Sequence, residues 1–86
     1  MDRIIIRGEP TGPFQHLYVY AKEKKVESIG IDFNDLEEVV FEILNKYNIS
    51  HIDLSGPKTY MQGIEKLLTQ ANTTTYSTHN LTFRYV

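Results

Sequence analysis

The chain contains no cysteine. Neither a disulfide framework nor a thiolate metal site is available, and the core must hold without covalent staples. That absence fits a reducing compartment. Long hydrophobic runs are missing too. The N-terminal stretch MDRIIIRGEP carries only three consecutive apolar residues, far short of a signal-peptide core, and no segment approaches the ~20 apolar residues of a bilayer span. A cytoplasmic chain without a membrane partner is the expectation. Nor is there a strong charge of one sign. Nine Lys and Arg against eleven Asp and Glu leave a formal net charge of −2, which disfavours whole-surface attraction to nucleic acid. Internal repeats, low-complexity tracts and linkers are absent, so residues 1–86 are expected to form one small domain around one core. Asn48-Ile49-Ser50, Asn72-Thr73-Thr74 and Asn80-Leu81-Thr82 match the glycosylation acceptor pattern. Without a secretory signal they are read as chance.

What is present is the composition of a folding domain, 41% hydrophobic and 23% charged. Arg3 to Arg7 predicts an isoleucine-rich strand, and Gly8-Glu9-Pro10-Thr11-Gly12-Pro13 has the residues of a turn. From Gln15 to Lys22, Leu17, Val19 and Ala21 alternate with His16, Tyr18, Tyr20 and Lys22, and Val26 to Ile31 follows a charged turn at Glu23 to Lys25. That alternation predicts a three-stranded meander. The period then changes. Leu36, Val39, Val40, Ile43, Leu44 and Tyr47 draw one apolar stripe down a helix. Asn34 with Glu37 predicts a capping-box-like start, and Lys46 with Asn48 suits the other end. Ile49 to Leu54 is a short strand. A second helix follows with Tyr60, Ile64, Leu67, Leu68 and Ala71 on its apolar side, and with Gly63 expected where this helix approaches the sheet closely. Leu81 to Val86 closes the chain as an alternating strand, and Thr74 to Ser77 leaves room for a short extra one.

The order β-β-β-α-β-α-β, with right-handed crossovers, predicts an α/β two-layer sandwich. Its mixed five-stranded sheet would be ordered 3-2-1-4-5, with both helices on one face and the other face open.

Glu9, in the turn after strand one, and Asp53, near the end of strand four, are two carboxylates at the ends of neighbouring strands. With them, the element order resembles the core of the ribonuclease H-like fold, shared by ribonuclease H, Holliday-junction resolvases and transposases. The resemblance implies metal-dependent phosphodiester cleavage, with Glu9 standing for the acid of the first strand and Asp53 for that of the fourth. The chain departs from the family's pattern: strand one itself contains no Asp, and the outward face of the second helix offers only Glu65. Two-metal chemistry needs several carboxylates converging on ions about 3.5–4 Å apart.

Among the local motifs, Asp53-Leu54-Ser55-Gly56-Pro57-Lys58-Thr59 runs from a strand into a helix start, where Ser55, Lys58 and Thr59 could hold an anion. It is not a P-loop, because it has one glycine and Pro57 deletes a backbone donor. Gly56 as helix cap and Pro57 at the first helical position is the plainer explanation. His16, His51 and His79 lie in separate elements without metal-site spacing, and no Gly-x-Ser-x-Gly elbow is present. No metal, cofactor or catalytic residue is expected. Asp35, Glu37, Glu38 and Glu42 form the solvated side of the first helix.

Alternation makes the open face the informative surface. If Leu17, Val19, Ala21, Ile52, Leu54, Leu81, Phe83 and Tyr85 point at the helices, then His16, Tyr18, Tyr20, His51, Asp53, Thr82 and Arg84 point away, with Arg7 beside them. Such a face covers on the order of 400 Å², and Tyr, His and Arg suit a contact surface. The expected function is a small non-catalytic interaction module that binds itself or a protein partner through Tyr18, Tyr20, His16, His51 and Arg84. The alternatives are a ribonuclease H-like nuclease or nucleic-acid-binding relative, and a binder of a small phosphorylated ligand at Ser55 to Thr59.

Overall fold

The computed structural model describes the backbone of residues 3–11, 14–21, 26–31, 33–76 and 80–86, and the side chains of residues 3–9, 17–21, 34–76 and 80–86. Strands β1 (Ile4–Thr11), β2 (Phe14–Ala21) and β3 (Val26–Ile31) precede helix α1 (Leu36–Tyr47). Strand β4 (His51–Ser55), helix α2 (Lys58–Ala71) and strand β5 (Thr82–Tyr85) follow. This is a small α/β domain with a mixed sheet and two helices. The strand order is β3-β2-β1-β4-β5. The β1–β2 and β2–β3 pairs are antiparallel, whereas β1–β4 and β4–β5 are parallel.

Pleat and register together build the core. Ile4 and Ile6 of β1 stand beside Ala21 and Val19 of β2 and beside Ile52 and Leu54 of β4. All six are buried, in one cluster with Leu36, Val40, Phe41 and Leu44 of α1 and Met61, Ile64, Leu68 and Ala71 of α2. Burying side chains of this size stabilises by roughly 1.5–3 kcal/mol each before the entropy of ordering is subtracted. Ile5 and Arg7, between the buried positions, turn the other way and remain half-buried and exposed respectively.

Both helical stripes sit slightly rotated from expectation. In α1 the fully buried Phe41 joins the stripe, with the Tyr76 ring stacked on it at 4.0 Å between centroids and 6° between planes, while Val39 is only partly buried. In α2, Met61 takes the central place expected of Tyr60, since the Gly8 position of β1 admits its methyl end.

The ends differ too. Residues Phe33–Asp35 form a 3-10 turn, and Asp35, not Asn34, caps α1 without a side-chain hydrogen bond. The expected Asn34–Glu37 capping box is therefore not what starts the helix. At the other end Asn48 adopts the left-handed conformation (φ 53°, ψ 48°) and donates to Leu44 O, and Ile49 N–H also donates to Leu44 O at 3.0 Å. That closure satisfies a last-turn carbonyl and buries Ile49 against the end of the helix. The cap of α2 is Pro57, whose carbonyl accepts from Met61 N–H at 2.9 Å; Gly56, expected as the cap, lies one residue outside. Residues Asn72–Tyr76 continue α2 as a π-helical turn, which replaces the short strand suggested at Thr74; Ser77 lies outside the described residues.

Two corrections concern the glycines and the first turn. Gly63 is exposed, with nothing within 4 Å of an added Cβ, so it marks no close approach. The close approach is at Gly8, where a Cβ would come within 2.5 Å of the Met61 methyl and 2.7 Å of the Tyr60 ring. Gly56 has φ 147°, and a Cβ there would stand 2.7 Å from the Gly8 carbonyl oxygen, so the β4–α2 connection rests directly on β1. The chain does not turn at Gly8 either. β1 pairs with β2 through Thr11↔Phe14, whereas its register with β4 ends at Arg7↔Ser55. Beyond Arg7 no described strand pairs with the β4 side of β1, and a strand edge is where a sheet admits proline.

Candidate functional site on the open sheet face

The face away from the helices is assembled in rows. Register sets Tyr20, Ile5, Asp53 and Arg84 across β2, β1, β4 and β5, and sets Tyr18, Arg7 and Ser55 in the next row. His51 stands beside Thr82. Tyr18, Tyr20 and His51 are half-buried, while Arg7, Thr82 and Arg84 are exposed. The structure thus brings Tyr18, Tyr20, His51 and Arg84 onto one surface. His16 pairs through its backbone with Glu9, while its side chain and all of His79 lie outside the described residues.

Asp53 departs most from expectation. It is not a surface group: it is 4% exposed, the one buried charged side chain among the described residues. Arg84 holds it with two hydrogen bonds, Nε to Oδ1 at 3.1 Å and Nη2 to Oδ2 at 2.8 Å, and Arg3 Nε donates to Oδ1 at 2.9 Å. Burial works to raise its pKa. The hydrogen bonds from Arg84 and Arg3, with the charges of both, outweigh burial and hold the carboxyl below its ordinary value. The cluster ties β1, β4 and β5 together on the side where no helix covers them.

A second polar group lies in the neighbouring row. The Arg7 guanidinium stands over the Tyr18 ring, 4.6 Å from its centroid, and Arg7 Nε lies 3.3 Å from Glu9 Oε1. The cation–π contact is worth about 0.5–1 kcal/mol at an exposed site, enough to bias one guanidinium orientation. Glu9, expected in a turn, is a strand residue exposed on this face. It stands four residues beyond Ile5, the partner of Asp53, or about 13 Å along the strand at ~3.3 Å per residue. Glu9 and Asp53 therefore do not converge at the spacing of two metal ions. Among the described residues no group of three or more His, Asp or Glu could hold a metal ion.

The expected anion site is also dispersed. Alternation leaves Ser55 on Asp53's side of the sheet, whereas Lys58 and Thr59 are exposed on the first turn of α2, the helix over the opposite side. On that side Tyr85 donates its hydroxyl to Glu65 Oε2 at 3.0 Å, which engages the carboxylate that the ribonuclease H-like resemblance singled out on the second helix.

Arg3 is the member of the Asp53 cluster that the sequence reading missed. Its signal was the period of two through Arg3, Ile5 and Arg7, which sets Arg3 on the same face as Arg7. No helix of the described residues is long and apolar enough to cross a membrane. Compared with family models, with curated proteins and with solved structures, the chain matches none.

Proposed function

We propose that the protein is a non-catalytic interaction module whose open sheet face meets a protein partner, either a second copy or another protein. One observation carries this reading. Two arginines of the face are oriented before any partner arrives, Arg84 by the buried Asp53 and Arg7 over the Tyr18 ring. Side chains already fixed cost less to immobilise on association, and Tyr and Arg are the residues that concentrate binding energy at interfaces. Ile5, between Arg3 and Arg7 on β1, pairs with Tyr20, an apolar position with polar flanks, the combination that contact surfaces use.

The test is Tyr18→Asp combined with Tyr20→Asp. Sedimentation velocity over a concentration series reads self-association. Affinity capture followed by titration with the purified captured protein reads a partner. The expected result is loss of association with the circular dichroism spectrum retained. Association equal to that of the parent chain rules the reading out.

A further inference from the structure

We infer that the outer edge of β5 is a dimerisation edge, on which a second copy of this chain adds its own β5 antiparallel and centred on Phe83, so that the two sheets join into one. The edge is a different surface from the Tyr18 and Tyr20 face, and the inference does not rest on that reading. β5 ends the sheet, and among the described residues no strand pairs with its outer side. The phase of its hydrogen bonds is fixed from within. Thr82 N–H donates to Ser50 O and Val86 N–H to Leu54 O, so the even-numbered residues spend their main-chain groups on β4. Alternation then turns the N–H and C=O of Phe83 and Tyr85 outward, and another extended strand is what complements such a row.

Native edge strands are blunted by lysine, proline, bulges or charges. β5, Thr-Phe-Arg-Tyr, has neither lysine nor proline, and its one charged side chain, Arg84, is drawn onto Asp53. Apolar surface gathers here instead. Tyr85 and Val86 are the exposed large hydrophobics among the described residues, and Leu81 and Phe83 pack on the core yet stay partly exposed.

Register selects a second copy as the occupant. Two identical edges related by a two-fold axis normal to the sheet run antiparallel, with Phe83 and Tyr85 in hydrogen-bonded positions. The registers that keep this phase differ in what faces Arg84. Centring on Arg84 sets two guanidiniums opposite each other, and like charges directly opposite destabilise. Centring on Tyr85 sets Arg84 beside the apolar Val86. Centring on Phe83 matches every position: Phe83 meets the second copy's Phe83, Leu81 meets its Tyr85, and Thr82 meets its Arg84. The apolar pairs fall on the helix side and the polar pairs on the open side, so both layers continue across the junction. Residues 81–85 cover less than the roughly 800 Å² per partner of a standard interface, so the dimer is weak and forms as concentration rises.

The test is sedimentation velocity of the full chain from about 10 µM to about 1 mM, with amide hydrogen exchange of the 15N-labelled chain at both ends of that range. The expected result is a monomer–dimer equilibrium in which the Phe83 and Tyr85 amides gain protection with concentration, while those of Thr82 and Val86, already bonded to β4, change less. Thr82→Glu sets a carboxylate opposite Arg84, twice over by symmetry, and tightens the dimer about three-fold or more; Thr82→Lys weakens it by a similar factor. Thr82 is exposed, and circular dichroism checks that both variants fold. Equal effects of the two substitutions, or no effect of either, overturn the pairing. A chain that stays monomeric at the upper concentration overturns it too, as does a species that grows past the dimer, which marks a heterologous contact. If Tyr18→Asp with Tyr20→Asp abolishes self-association while the Thr82 variants leave it intact, the open face is the contact and the edge falls. If the tyrosine variant leaves dimer and partner capture unchanged while Thr82→Lys weakens the dimer, the edge stands and the proposed function falls.

Discussion

The two faces of the sheet are held by opposite means. On the helix side, Ile4, Ile6, Val19, Ala21, Ile52 and Leu54 are sealed under α1 and α2 in a cluster without a charge. On the other side, cohesion comes from one buried carboxylate and two arginines spanning β1, β4 and β5. The first face resists change in volume, because close-packed apolar atoms lose contact energy whenever a void opens. The second resists change in charge. Adjacent residues of one strand therefore answer to different physics.

The sharpest way to break this contrast is to shorten neighbours on β1. Ile6→Ala removes a fully buried side chain and is expected to cost about 2–5 kcal/mol. Ile5→Ala, on the open side, is expected to cost less than about 1 kcal/mol. Denaturant titration of both variants measures the gap, and equal losses would mean that the open face is packed as tightly as the covered one.

A smaller effect is expected at Asp53. Asp53→Asn leaves Arg3 and Arg84 without their counter-ion, which for enclosed partners costs about 3–5 kcal/mol. Both arginines reach water, so roughly 1–2 kcal/mol is expected after that discount. The pH dependence supplies the sign. The folded pKa lies below the ordinary value, so the carboxylate stabilises the fold above the unfolded pKa of about 3.9, and that contribution is lost as pH falls through the lower folded value. Stability measured from neutral pH downward should fall more steeply in the parent chain than in Asp53→Asn over this acid range, and parallel curves would show that the cluster does not stabilise the fold.

The smallest expected change lies outside both faces. Gly63→Ala on the exposed side of α2, where an added Cβ meets nothing, should stabilise by about 0.5–1 kcal/mol through helix propensity. A thermal melt showing destabilisation would place Gly63 in a contact that the structure does not show.

The elements were legible wherever a short window contains their cause. The shift from period two in β2 to the stripe of α1 needs only local sequence, as does the left-handed Asn48 that ends α1. The mixed sheet and its two helices follow from the order of those windows. What was illegible depends on partners far along the chain. Gly8-Glu9-Pro10 has turn composition, yet pairing with residues 15–17 of β2 keeps it extended. Gly63 looked like the glycine of a close approach, whereas Gly8 and Gly56 serve that end across the β1–β4 junction. Asp53 looked like an acid at a strand end, and only register reveals Arg3 and Arg84 around it. Of the expected surface, Tyr18, Tyr20, His51 and Arg84 lie together; the acids Glu9 and Asp53 do not.

The arginine cluster also bears on time as well as energy. Its partners are separated by 50 and 31 residues, so it can close only after both crossovers have laid β4 and β5 in place. The β1–β2 ladder, by contrast, has its nearest partners at Thr11 and Phe14, with little loop to close. Interactions absent from the folding transition state act on the rate of opening, so Asp53→Asn is expected to speed unfolding more than it slows folding.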